Sequence, residues 1–367
     1  MKDDQPRKSK LWLLILILMS LAVIPVATKA QSPDSPQLES VTPEATPDKP
    51  TSEQVEDQPI EEAENTQTKL PSKPKTKKLE FTKQVLVYQT IDGEEPEELK
   101  CDIYTPQGEG PFPAILAVHG GGWRQGTKFA MLRHAWKMAQ SGYVVVSINY
   151  RHAPKHPFPA QIHDCKHAIR WMRSNAEELK IDPERIGAFG YSAGGHLVSL
   201  LGTSDKDDGL EGPIEKEFKK FDTRIKAVAA GGAPCEFSWL DKKSQVLSYW
   251  LGGSPKQKPK TYQAASPTTF VSADDPAFFF FHGEKDLIVP ASSPQALHDL
   301  LKKSGVQSEY YTAKGYGHIG TFSDIRWMEQ AIVFFDRHLK DGQEEDGEDQ
   351  EGEDSDQPED TKAKGKR

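Results

Sequence analysis

Short apolar runs alternate with longer amphipathic segments between about residues 80 and 340, and few folds can accommodate that order. The run 114–118 is wholly apolar, and 278–281 consists of phenylalanine alone, as is typical of strands buried inside a sheet. The alternation predicts an α/β fold with a mostly parallel central sheet flanked by helices. The first two strands are predicted to pair antiparallel around the turn Asp92-Gly93. The predicted strands are 86–88, 99–104, 114–118, 144–148, 186–191, 225–230, 278–282 and 308–312, and the predicted helices are 161–175, 193–201, 294–303 and 325–339.

Composition divides the chain into four parts, of which only residues 79–340 have enough apolar side chains to bury a core. Residues 1–30 join a basic start to an apolar run, which predicts a signal peptide or an N-terminal anchor. Residues 31–78 are rich in Pro, Glu and Thr, and residues 341–367 are strongly acidic, so both are predicted to be disordered. We therefore expect an exported protein that is periplasmic, secreted or anchored to the membrane by its N-terminal segment.

The net charge of −9 comes from the terminal segments. Segments 1–30, 31–78 and 341–367 carry +3, −4 and −8, so residues 79–340 are neutral and no nucleic-acid partner is expected. The three cysteines, Cys101, Cys165 and Cys235, are widely spaced, which favours buried free thiols over a single disulfide. No Cys or His spacing is typical of a zinc site.

A candidate nucleophile lies in the stretch Gly190-Tyr-Ser192-Ala-Gly194. The predicted strand 186–191 precedes this serine and the predicted helix 193–201 follows it, which is the context of a nucleophile elbow. Small residues on both sides are needed because the turn is tight. The helix N-terminus behind the serine also favours developing negative charge. The pattern alone is weak, since a glycine-rich turn after a buried strand would look similar.

A second glycine-rich loop, His119-Gly-Gly-Gly-Trp123, follows the predicted strand 114–118. Residues without a Cβ let backbone N–H groups approach an oxyanion closely. We predict an oxyanion hole formed by the N–H groups of Gly121, Gly122 and Ala193. A phosphate-binding loop is disfavoured because no Gly-Lys-Ser or Gly-Lys-Thr follows.

A candidate acid and a candidate base follow the last two predicted strands. Asp286 lies in the loop after 278–282, where it can orient an imidazole, and Glu284 is the less favoured acid. His318 follows strand 308–312 and is the predicted general base. The order Ser192, Asp286, His318 is the order of nucleophile, acid and base in α/β-hydrolases.

Other polar and aromatic features receive structural interpretations. Residues 203–222 are charged and are expected on the surface, whereas 235–266 form either a small cap over the site or a helix packed on the core. His119 and His282 adjoin strand ends and are expected to be structural, and His196 lies on the helix after the candidate nucleophile. Positions in or near a surface helix are expected for His152, His156, His163 and His167.

The motifs HGGGW, GYSAGGHL, SADDP, HGEKDLIVP and GYGH, in this order, resemble the α/β-hydrolase superfamily. Within it, the chain is most similar to hormone-sensitive-lipase-like and bacterial feruloyl- and acetyl-esterase-like carboxylesterases. The resemblance spans about residues 80–340 and implies a Ser-His-Asp triad with an HGGG-type oxyanion hole. The long N-terminal helical cap of many lipase-like relatives is absent from the sequence pattern of this region, which predicts an open site.

The resemblance implies hydrolysis of short acyl esters, including acetyl or feruloyl esters of carbohydrates, without a metal or organic cofactor. Trp123 and Tyr191, the neighbours of the glycine loop and the candidate nucleophile, are expected to bind substrate. Two alternatives stay open. One is a serine peptidase of the acylaminoacyl-peptidase type, although nothing before residue 80 could form its usual propeller. The other is a non-catalytic binding module, although all three triad residues are present.

Overall fold

The structure, a computed structural model, describes residues 78–340. The predictions for residues 1–30, 31–78 and 341–367 lie outside this range, apart from residue 78, and stay predictions. Within the described range, no helix combines the length and the apolar character needed to cross a membrane.

The described residues contain one eight-stranded sheet with the strand order β1-β2-β4-β3-β5-β6-β7-β8. Strands β1, β2 and β4 pair antiparallel, and all other neighbours are parallel. The mostly parallel sheet and the antiparallel opening pair are therefore confirmed. The strands are β1 Phe81–Ile91, β2 Glu97–Pro106, β3 Phe112–Val118, β4 Val144–Ile148, β5 Ile181–Tyr191, β6 Ala227–Gly231, β7 Ala277–Gly283 and β8 Ser308–Ala313.

Helices cover both faces of the sheet, as a parallel sheet requires. One core contains apolar residues of α2, α3 and α6, and the other contains those of α1 and α8. Alternate residues of β3 enter the two cores, with Leu116 in one and Ile115 in the other. The helices are α1 Leu132–Gln140, α2 Ala160–Ser174, α3 Ala193–Thr203, α4 Ser248–Leu251, α5 Pro259–Ala264, α6 Ser292–Lys303, α7 His318–Ser323 and α8 Ile325–Leu339.

Helix α1 is an element that the sequence pattern did not predict. Its buried face consists of His134, Ala135, Met138 and Ala139. The helix is amphipathic, but its nine residues make only about two and a half turns, so the apolar face has few repeats along the sequence.

The expectation of a surface helix around residues 161–175 is wrong, because α2 is buried along most of its length. Lys166 and Arg170 point into the protein and both pair with Glu211, with a Lys166 Nζ–Glu211 Oε1 distance of 2.6 Å. Glu211 belongs to the charged stretch 203–222, which was expected on the surface. Pairing with the buried cations draws part of this stretch against the helix, since a buried charge needs a partner.

Residues 235–266, called the cap segment below, contain the short helices α4 and α5. The segment is fixed to the body of the protein by Trp250, whose side chain is completely buried. The Trp250 ring lies parallel to that of Trp123, with the ring centroids 3.7 Å apart. The three cysteines are free and buried, as predicted.

Candidate active site

Ser192 lies in a sharp turn between β5 and α3, with a backbone φ of 57° and ψ of −123°. A residue with a Cβ rarely adopts this conformation, so its neighbours must hold it. They do so by close packing. A Cβ on Gly194 would lie 2.0 Å from the Val118 carbonyl oxygen, and one on Gly190 would lie 2.3 Å from the Gly194 oxygen. Only glycine fits at these positions, and the predicted elbow geometry is present.

Asp286 and His318 are paired at the same edge of the sheet. The Asp286 Oδ2–His318 Nδ1 distance is 2.6 Å, and both side chains are buried. The other carboxylate oxygen, Oδ1, accepts hydrogen bonds from the N–H groups of Ile288 and Val289 at 2.8 and 2.9 Å. Burial raises the pKa of Asp286, but the hydrogen bond and charge of His318 and the Val289 N–H outweigh it and leave this pKa below its ordinary value. The carboxylate is therefore ionised and can orient the imidazole.

The elbow and the loop that carries His318 are in direct contact. The Tyr191 hydroxyl donates a hydrogen bond of 2.5 Å to the His318 carbonyl, and the two rings lie 5.1 Å apart. On the other side, the Ser192 N–H donates to the Gly231 carbonyl at 2.8 Å. A Cβ on the next residue, Gly232, would lie 3.0 Å from the His318 imidazole. Elements that end at the same sheet edge thus bring Ser192, Asp286 and His318 together.

The glycine loop lies against the elbow. A Cβ on Gly120 would approach the Ser192 Cβ to 3.1 Å. Gly121 and Gly122 have φ values of 124° and 60°, in the region that glycine favours. Within residues 78–340, no acceptor is hydrogen-bonded to the backbone N–H of Gly121, Gly122 or Ala193. These N–H groups are available for a ligand beside Ser192.

Trp123 and Tyr191, which were expected to bind substrate, lie inside the protein with 4 % of their surface exposed. Trp123 stacks on Trp250 and packs edge-on against His196 and Phe237. The Tyr191 hydroxyl donates its hydrogen bond to the His318 carbonyl. Trp123 therefore holds the glycine loop, and Tyr191 holds the residue that is the candidate base. The structure does not support the expected contact of either side chain with substrate.

His196 is a residue whose role the sequence did not reveal. Its Nδ1 accepts a hydrogen bond from Trp123 Nε1 at 3.2 Å, and its Nε2 donates to the Ala265 carbonyl at 2.6 Å. The indole can only donate and the carbonyl can only accept, so the imidazole is neutral with its proton on Nε2. Full burial accordingly lowers the pKa of His196 to about 4. The residue links the elbow helix, the glycine loop and the cap segment.

Two other predicted side chains support the loops around the site. Glu284, the less favoured acid, accepts a hydrogen bond of 2.7 Å from the Gly315 N–H and so braces the loop before His318. His282 lies with its Nε2 3.0 Å from the Val289 carbonyl and 3.5 Å from Asp286 Oδ2. Among the residues that the structure describes, no three His, Cys, Asp or Glu side chains are grouped as metal ligands would be.

Comparison with known proteins places this arrangement in a family. The BD-FAE family model matches residues 101–301, more than half of the chain. The probable carboxylic ester hydrolase LipM of Mycobacterium tuberculosis is 32% identical over 212 residues, which is 55% of this chain and 48% of LipM. The chain spans about half the length of the curated relatives that it matches.

Solved structures agree with the family match. A truncated carbohydrate esterase from gut microbiota is 26% identical with a TM-score of 0.64, over 72% of this chain and 98% of that one. The butyrate-bound esterase Est2 of the Planctomycetes species Thermogutta terrifontis is 25% identical with a TM-score of 0.59, over 69% and 93%. The predicted α/β-hydrolase fold and the predicted esterase resemblance are confirmed.

Proposed function

Because the chain belongs to the BD-FAE family of α/β-hydrolase esterases, we propose that it is a serine carboxylesterase that hydrolyses short acyl esters. The observation that carries this proposal is a strained Ser192 at the same sheet edge as the buried His318–Asp286 pair. This backbone conformation lowers the stability of the fold, and residues that keep such a conformation cluster at functional sites. An adjacent imidazole with an ionised orienting carboxylate gives Ser192 a role in chemistry.

Ser192 is the nucleophile, His318 the general base and Asp286 the residue that orients the base. The carboxylate accepts the N–H at Nδ1 of His318, which leaves Nε2 unprotonated and able to accept a proton. The same carboxylate stabilises the imidazolium that forms when the serine proton is transferred. The pKa of Asp286 lies below its ordinary value, so this support is present throughout the neutral range.

The N–H groups of Gly121, Gly122 and Ala193 form the oxyanion hole in this proposal. They have no hydrogen-bond partner within residues 78–340, and the loop lies against the elbow. Each such donor stabilises the tetrahedral intermediate more than the planar ester, which is what accelerates the reaction. Removing one donor costs about 3 kcal/mol of transition-state stabilisation in related chemistry.

The reaction follows in two halves. Ser192 Oγ attacks the ester carbonyl carbon while His318 Nε2 takes its proton, and the carbonyl electrons move onto the oxygen in the oxyanion hole. Collapse of this intermediate breaks the bond to the alcohol, which leaves with the proton from His318. Water then attacks the acyl-enzyme in the same way, and the acid and free Ser192 are regenerated.

The substrate class is an ester with a small acyl group, including acyl groups on carbohydrates. Two solved relatives support this, since one is a carbohydrate esterase and the other binds butyrate. Activity that falls from p-nitrophenyl acetate to butyrate to longer esters is expected. A preference for long acyl chains would contradict the proposal. Assays on acetylated xylan and on feruloylated sugars show which carbohydrate esters the protein hydrolyses.

The experiment that tests the mechanism compares wild type with Ser192→Ala on p-nitrophenyl acetate. Loss of such a nucleophile lowers kcat by about 10⁶-fold. Ser199→Ala is the matched control, because Ser199 is a buried serine of the helix that follows Ser192, where its Oγ donates to the Gly195 carbonyl and accepts from Cys235 Sγ. Ser199→Ala retains activity in this account, and similar turnover by Ser192→Ala and wild type contradicts it.

We also propose that residues 1–30 direct export, because a basic start precedes an apolar run in the sequence. Cell fractionation of the full chain, followed by N-terminal sequencing of the product, tests this. Activity that stays with the cytoplasm contradicts export, and a product that begins after residue 30 indicates cleavage.

A further inference from the structure

The glycine loop 119–123 is held through its carbonyl groups. Every one of the five carbonyl oxygens accepts a hydrogen bond, at 2.6 to 3.3 Å. In chain order the donors are the Tyr150 hydroxyl, His119 Nδ1, the N–H groups of Arg124 and Gln125, the Tyr249 hydroxyl, and the Ala153 N–H. Bonds to all of its carbonyls hold the peptide groups of this loop in fixed orientations.

One of these donors comes from the cap segment. The Tyr249 hydroxyl donates to the Gly122 carbonyl at 2.6 Å, and this is the one hydrogen bond that the Gly122 carbonyl accepts within residues 78–340. The other donors belong to the loop itself or to the loop after β4. The hydrogen bond that orients the Gly122 carbonyl therefore comes from the cap segment.

Tyr249 is itself well fixed. The Arg124 guanidinium lies 5.0 Å from the centre of its ring, and the next residue, Trp250, stacks on Trp123. Burial raises the pKa of Tyr249 to about 12, although the Arg124 charge acts in the opposite direction. The phenol therefore keeps its proton and remains a donor at every pH at which an esterase is assayed.

We propose that Tyr249 is a positioning residue for the esterase reaction, which aims the oxyanion donors by holding the Gly122–Trp123 peptide. This inference rests on the proposed function. A peptide group is planar, so fixing its oxygen fixes the whole unit and limits the backbone angles of Gly122. Trp123 is held by its buried ring, but Gly122 has no Cβ to resist rotation, so on the Gly122 side the phenol is what limits the turning of this peptide. Turning of this peptide changes the backbone angles of Gly122 and so tilts the adjoining Gly121–Gly122 peptide, which would take the Gly122 N–H out of alignment with Ser192.

The test compares Tyr249→Phe with Tyr262→Phe. Tyr249→Phe removes one oxygen and keeps the ring beside Arg124. Tyr262 is the matched control, because its hydroxyl also donates to a backbone carbonyl of the cap segment, that of Gly253, at 3.1 Å. For Tyr249→Phe we expect kcat on p-nitrophenyl acetate to fall roughly 10- to 100-fold with KM within about twofold, since the lost alignment matters in the transition state. Tyr262→Phe keeps the wild-type kcat.

Hydrogen exchange separates this inference from the proposed function. In Tyr249→Phe the amides of Gly121, Gly122 and Trp123 exchange faster than in wild type, and in Tyr262→Phe they do not. Unchanged exchange at these amides, a kcat within about twofold of wild type, or equal losses in the two variants overturns the role of Tyr249. If wild type has no Ser192-dependent turnover, the proposed function fails, and the exchange measurement alone decides whether Tyr249 holds the loop.

Discussion

Ser192 and Trp123 both have a positive φ of 57°, but they are held at this angle by different means. The turn at Ser192 is held by close packing of glycines within a few residues, at distances that exclude any Cβ. The turn at Trp123 is held by side chains far along the chain, by stacking on Trp250 and a hydrogen bond to His196. The elbow thus depends on glycines that lie close to Ser192 in the sequence, whereas the glycine loop depends on the cap segment.

This difference explains what each turn reveals in the sequence. Glycine spacing at the elbow is dictated by local sterics, so the pattern can be read directly. An aromatic stack between residues 123 and 250 has no local signature, because any large aromatic residue of the cap segment could have supplied it. Substitutions in the Trp123–Trp250 stack and in the glycines around Ser192 are therefore expected to differ in their effects on stability and activity.

The largest expected effect comes from removing the support of the glycine loop. Trp250→Ala deletes a fully buried indole and should lower the free energy of unfolding by about 4 kcal/mol. It should also lower kcat, because the glycine loop loses its stack. Trp136→Ala is the control, since Trp136 is 46% exposed and its loss should change stability by less than about 1 kcal/mol. Urea unfolding and ester kinetics measure both effects, and a normal kcat in folded Trp250→Ala would show that the loop does not need the cap segment.

A slightly smaller effect is expected from overpacking the elbow. In Gly194→Ala the new Cβ meets the Val118 carbonyl, which should destabilise the fold by about 3 kcal/mol and displace Ser192. Gly209→Ala is the control, because no atom lies within 4 Å of the new Cβ and only the positive φ of Gly209, which Gly194 lacks, opposes the change, so about 1 kcal/mol is expected. Equal losses in the two variants, measured by urea unfolding, would mean that close packing does not hold the elbow.

The smallest effect is a pH dependence through His196, the residue common to both turns. Its folded pKa of about 4 is below the ordinary 6.5, so the unfolded chain binds more protons between these values. Stability from this residue is therefore complete above its unfolded pKa and is lost as the pH falls. The loss should be about 2 kcal/mol between about pH 8 and about pH 5.

His196→Gln isolates this contribution, because an amide can accept from Trp123 and donate to the Ala265 carbonyl without titrating. The buried residues His119 and His134 also have pKa values lowered to about 4, so both proteins lose stability in acid. The variant should lose about 2 kcal/mol less than wild type over the same range. Identical pH profiles of the free energy of unfolding would show that His196 is not buried in its neutral form.

Much of the fold could be predicted from the sequence because its strands are short, apolar and bounded by loop residues. Strand β4 and helix α8 begin and end at the predicted residues, and the other predicted strands and helices are present with shifted ends. Candidate site residues could be proposed for the same reason, since Ser192, Asp286 and His318 each follow a strand. Parallel strands bring their carboxyl ends to one edge, so order along the chain becomes proximity in space.

The features that could not be predicted depend on pairing between distant residues. Helix 161–175 was expected on the surface, and its burial involves the pairing of Lys166 and Arg170 with Glu211, which lies more than 40 residues away. Trp123 was expected to bind substrate because it adjoins the glycine loop, and its burial follows from Trp250. Side-chain contacts between distant residues produce no periodic pattern and no local motif in the sequence.

The central claim is that Ser192 is the nucleophile of an esterase, and covalent labelling tests it most directly. Paraoxon transfers a diethyl phosphoryl group to an activated serine, with p-nitrophenolate as the leaving group. Intact mass and peptide mapping should locate one such group per chain, on Ser192, with parallel loss of ester hydrolysis. Ser192→Ala should remain unlabelled. Labelling of another residue, or ester hydrolysis that persists without a label on Ser192, would contradict the account.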